Sequence, residues 1–191
     1  MITIDSKSIY WIIAFFLFLV IISLANGQKK VTSIFSHWFY MIEGFKISSQ
    51  DYYGILEAAI KDRQLPNTEI SRIKFFEGGI HSAKREYLRV VRYDHVFDIC
   101  AAPFGNCFFF SWWLGDSVSP LYRIIASIPL IGPILLKLFS PETYYAIDTM
   151  LMFQESVHSA VLEVLNTYLK SKGMRLLSEF ERKPIMNKIL K

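Results

Sequence analysis

The chain has 191 residues, of which 52% are hydrophobic, 16% aromatic and 20% charged, with a formal charge of +4. Its mean hydropathy is +0.30. That length holds one ordinary domain or a small domain with an anchor, and the composition excludes a disordered or nucleic-acid-coating chain. Two cysteines exclude a disulfide-stapled scaffold and a four-cysteine zinc module.

From Ser8 to Gln28 no residue is charged, and within Ile9–Ala25 only Ser23 is not apolar. A helix over a stretch of this length rises roughly 30 Å, the thickness of a bilayer hydrocarbon core. Tyr10 and Trp11 stand near one end, where amphipathic rings suit the headgroup level. Residues 1–28 are therefore expected to be a transmembrane anchor. The competing reading is a cleaved signal peptide and export, because Ser23-Leu24-Ala25 offers small residues at a cleavage site. Asp5 cancels Lys7 ahead of the apolar run, whereas Lys29 and Lys30 follow it, which places the C-terminal bulk in the cytoplasm.

Residues 29–116 read as a helix plus a β-meander. The aromatic stretch 31–47 fits a first strand or a first helix equally well. Ser48, with Asp51 three residues on, opens a predicted helix over 49–63, whose apolar face holds Tyr52, Ile55, Leu56, Ala59 and Ile60. Four antiparallel strands then follow near 69–77, 84–93, 96–102 and 107–114, broken at Gly78-Gly79, Asp94-His95 and 103–106.

Pairing Tyr93 with Val96, and closing 103–106 as a four-residue loop, gathers one apolar face. It comprises Leu88, Val90, Phe97, Ile99, Ala101, Phe108, Phe110, Trp112 and Leu114. The other face carries Tyr87, Arg89, Asp98, Cys100, Phe109, Ser111 and Trp113, the candidate binding face. This register sets Asp98 diagonal to Arg89 and opposite Ser111. It also sets Cys100 diagonal to Cys107, too far for a disulfide, so both thiols are expected free.

Residues 117–140 form an apolar segment broken by Pro129 and Pro133, with Arg123 and Lys137 at its flanks. It is short for a span, and its prolines disfavour a straight helix. An interfacial hairpin fits, with Ile128 and Leu130 in lipid and the two basic residues at the headgroups; a buried loop and a second span are the alternatives. In the C-terminal region 141–191, Ser140-Pro141 opens a long helix to Lys172, followed by a basic amphipathic tail.

Chemistry-bearing patterns are sparse. Glu155-x-x-His158 is a single pair where a di-metal bundle needs two, so no metal is assigned. Neither cysteine has a histidine placed by sequence to activate it, so no catalytic residue and no cofactor are assigned. The basic residues Arg72, Lys74, Lys84, Arg85, Arg89 and Arg92 are answered by Glu69, Glu77, Glu86 and Asp94, which argues against nucleic acid. These readings converge on an α+β domain behind a transmembrane helix, acting as a non-enzymatic interaction module whose partners are the bilayer and a protein. Two other expectations stand beside it: an enzyme with a site on the polar sheet face, and a membrane-perturbing effector that inserts 117–153.

Overall fold

The computed structural model describes Trp11 and residues 31–76, 84–117 and 143–187. Apart from Trp11, the anchor lies outside these, as do the Gly78-Gly79 break and residues 118–140 of the proline-broken segment. Among the described residues no helix is long and apolar enough to cross a membrane.

Among the described residues the fold is α+β, built on an antiparallel sheet of six strands, not four. In chain order the elements are β1 (Val31–Glu43), α1 (Ser49–Asp62), β2 (Thr68–Phe76), β3 (Lys84–Arg92), β4 (His95–Phe104), β5 (Cys107–Ser117), α2 (Tyr144–Ser171), α3 (Glu179–Arg182) and β6 (Ile185–Met186). The strands lie in the order β2-β3-β4-β5-β1-β6. The expected meander is thus extended by two strands at its far side: β1 pairs with β5, and β6 pairs with β1. The stretch 31–43 is a strand because its even positions, Trp38 and Ile42, fill the core, while Phe39 and Met41 face outward.

The face grouping expected from the sequence is the one found, but each hairpin is shifted by two residues. Arg92 pairs with His95, and Phe104 pairs with Cys107. Both connections are two-residue turns, with Tyr93 at φ 53° and Gly105 at φ 62° entering left-handed conformations. A shift of two preserves the side-chain alternation, so Leu88, Val90, Phe97, Ile99, Phe108, Phe110, Trp112 and Leu114 all reach the core.

Both long helices cover this inner face. From α1 come Tyr52, Tyr53, Leu56 and Ile60; from α2 come Phe153, Val157, Val161 and Leu165. Ser48 caps α1 through the Asp51 amide, as its spacing predicts. The long helix starts later than Ser140-Pro141 predicts: Thr143 is its cap, in extended conformation, with its hydroxyl accepting from the Ala146 amide.

Candidate functional site

The seven residues expected on the polar sheet face are brought together on one surface, the side of the sheet turned away from α1 and α2. At its centre Asp98 sits directly between Arg89 on β3 and Trp113 on β5. This corrects the expected diagonal to Arg89 and apposition to Ser111; the two-residue shift of both hairpins is the cause. Ser111 instead faces Cys100. The pairing is geometrically tight: Arg89 Nε donates to Asp98 Oδ1 and Nη2 to Oδ2, each at 2.7 Å. Both side chains are buried. A two-pronged pair in a low-dielectric setting fixes orientation as well as charge.

Beside this pair lies Cys100, fully buried, its thiol pKa pushed up chiefly by burial. Arg85, Tyr87 and Ser111 around it pull the other way without overcoming burial. Burial likewise raises the Tyr87 hydroxyl. A thiol held protonated is a poor nucleophile. Asp98, with both oxygens engaged by Arg89, is committed as an ion-pair partner. Cys100 and Cys107 are both free, as expected.

Toward β1 the character of the face changes. His37 stacks on Trp113 at 4.7 Å between ring centroids, and Phe39 stacks on Phe109 at 6.5 Å. Cross-strand register produces both contacts: His37 lies directly opposite Trp113, and Phe39, opposite Ser111, reaches Phe109 on the diagonal. Phe39 is 56% exposed, Met41 46% and Trp113 40%. Sequence reasoning placed Phe109 and Trp113 here but missed His37, Phe39 and Met41. Their signal was the alternation within β1, hidden because aromatic residues occupy both of its faces.

The six basic residues read as one stripe are divided between the two faces. Arg85 and Arg89 share the outer face, whereas Arg72 points to the helix side, where it reaches Glu57 and Glu86. Glu155-x-x-His158 is not a ligand pair either: His158 is buried between the Trp112 indole and the Arg182 carbonyl. Among the described residues no group of three or more His, Cys, Asp or Glu is placed to hold a metal.

Of the residues assigned to the membrane, Trp11 is described and exposed; Tyr10, Arg123, Ile128, Pro129, Leu130, Pro133 and Lys137 lie outside the described residues. A groove of about 570 Å³ between α1 and α2, lined by Phe45, Tyr52, Ile55, Ala59, Val164 and Tyr168, shares no residue with the outer sheet face. No family model, no curated protein and no solved structure matches this chain.

Proposed function

We propose that the chain is a membrane-tethered interaction module with a cytoplasmic α+β domain, which holds a protein partner against the outer face of its sheet. The observation that carries this reading is the strip His37, Phe39, Phe109 and Trp113, stacked in two cross-strand pairs beside the exposed Met41 and partly open to solvent. Aromatic side chains give large contact area at low conformational cost, and they dominate binding energy at protein interfaces. The neighbouring buried pair Arg89–Asp98 gives the strip a fixed floor. The uncharged stretch from Ser8 to Gln28 supports the tether.

The test is site-specific photocrosslinking in the full chain, in its native membrane. A photoreactive residue at Phe39 or Trp113 should crosslink to a discrete protein, and one at Ile55, exposed on α1, should not. Crosslinks to lipid alone, or equal crosslinking from all three positions, would overturn the docking face.

A further inference from the structure

After α2 the chain turns at Gly173, whose φ is 63°, and residues 174–187 run back as a strap against β1. The strap is held at several points. Trp38 Nε1 donates to the Glu181 carbonyl at 2.7 Å, and the Tyr40 hydroxyl donates to Glu181 Oε1 at 2.8 Å. Ile185 and Met186 pair with His37 and Ser36, and the Asn187 amide donates to the Phe35 carbonyl at 2.7 Å. The strap therefore pairs with the outer edge of β1 from Phe35 to His37 and is held by the side chains of Trp38 and Tyr40.

One bond ties the strap to the middle of the core. The indole N–H of Trp112, which can only donate, points at His158 Nδ1 at 3.0 Å. Nδ1 is therefore unprotonated, and the ring's one proton lies on Nε2, 2.7 Å from the Arg182 carbonyl that accepts it. His158 is 3% exposed and lies edge-on to the rings of Trp38 and Trp112. A proton added to Nδ1 would set two N–H groups head to head and bring a full charge among indole rings. Turning the imidazole outward would relieve both faults, and the strap's Arg182 carbonyl stands against its Nε2.

The charges around this ring do not compensate it. On its own helix Glu155 is exposed and already accepts from Ser159 Oγ. On the strap, the Arg182 guanidinium donates to the Leu177 carbonyl, and Glu181 is occupied by Arg175 and Tyr40. On the strands, β1 contributes the Tyr40 hydroxyl and β5 the Trp112 indole, neither of them an anion. Burial accordingly outweighs the Arg182 carbonyl and Glu155 and holds the His158 pKa below the ordinary imidazole value.

We propose that His158 is the catch of an acid-released latch: protonation at Nδ1 frees the strap 174–187 and uncovers the edge of β1. An uncovered strand edge presents unpaired amides and carbonyls, which are a template for strand addition.

Amide exchange in the full chain, held in detergent, tests this between about pH 7.5 and about pH 5, the range in which imidazoles titrate. Protection factors at the Asn187 amide and the Trp38 indole should fall at least roughly tenfold as the strap opens locally. Amides of Leu88 and Ile99 should keep theirs. H158Q, which retains a donor and an acceptor without titrating, should hold the strap closed throughout. Loss of protection in H158Q as well, or none in the natural chain, would overturn the latch; so would simultaneous loss at Leu88 and Ile99. Should H158Q fail to fold, the natural chain still decides. The imidazole signal of His158 and the Asn187 amide must share one inflection, and separate inflections defeat the proposal.

Discussion

Arg89 grips both carboxylate oxygens of Asp98 across neighbouring strands, at 2.7 Å each, with only 5% and 8% of the two side chains exposed. Two charges so far from water were costly to desolvate, and each is tolerable because of the other. Replacing one alone, as in Asp98→Ala or Arg89→Met, should destabilise the domain by about 3–5 kcal/mol. Replacing both with apolar residues of similar size, Arg89→Met with Asp98→Leu, should recover most of that loss. Urea unfolding of the four proteins in a double-mutant cycle measures it. Additive losses would mean that the pair is not coupled.

The two thiols should separate kinetically. Cys100 is fully buried with its pKa pushed up, whereas Cys107 is partly accessible at the start of β5. Reaction with a disulfide reagent at neutral pH should show one fast thiol in the folded chain and a second only on unfolding. Cys107→Ser should remove the fast phase.

Two glycines should respond with opposite signs. A Cβ at Gly115 would stand 2.2 Å from the Ser33 carbonyl oxygen and 2.6 Å from Val31 Cγ1, where β1 and β5 change register. Backbone cannot yield as a flexible side chain can, so Gly115→Ala should cost about 1–3 kcal/mol or more. Gly54 lies inside α1 with open space around its Cβ position. There Gly54→Ala should stabilise by roughly 0.5–1 kcal/mol, through helix propensity. Thermal unfolding of both variants checks the pair.

Acid should weaken the domain through His158. Its folded pKa lies below its unfolded value, so the unfolded chain takes up the proton first as pH falls. Stability contributed by the neutral ring is whole above about pH 6.5, the unfolded value, and declines from there until the folded pKa is passed. The difference in unfolding free energy between the natural chain and H158Q should be flat above that pH and shrink below it. A difference independent of pH would contradict the buried neutral ring.

The proposed tether makes its own prediction. With Cys100 and Cys107 replaced by serine, single cysteines at Ser33 and Ser171 should be labelled from the cytoplasmic side only. Labelling from the opposite side would reverse the orientation. Recovery of the domain in a soluble fraction, with its N-terminus starting after Ala25, would favour signal cleavage.

The central sheet was legible because β3, β4 and β5 alternate cleanly, and alternation reports which face a residue takes. It does not report which residue stands opposite. Sliding a hairpin by two residues changes no face, so Leu88 and Phe97 were placed on the right side with the wrong neighbours. Tyr93 concealed the true turn, since a bulky aromatic side chain is not an expected occupant of left-handed backbone. β1 carries aromatic residues on both faces, so its period was masked. β6 is two residues long, and its pairing with Ser36 and His37 depends on where the tail arrives. The buried polar contacts were illegible for the same reason. Ser36 donates to Gln154, and Trp112 to His158, across separations that no local pattern encodes.

Tyr53 shows how such a long-range contact shapes the sheet. Its hydroxyl accepts from the Ala101 amide and donates to the Glu86 carbonyl, each at 2.8 Å. The direct β3–β4 pairing runs as far as Leu88 and Ile99, and the phenol enters just beyond. A helix side chain thus replaces a rung of the ladder, with the phenol oxygen standing between the two strands. The strands alone leave the Ala101 amide and the Glu86 carbonyl without each other here, and α1 supplies the partner for both, which ties the spread of the sheet to a single phenol.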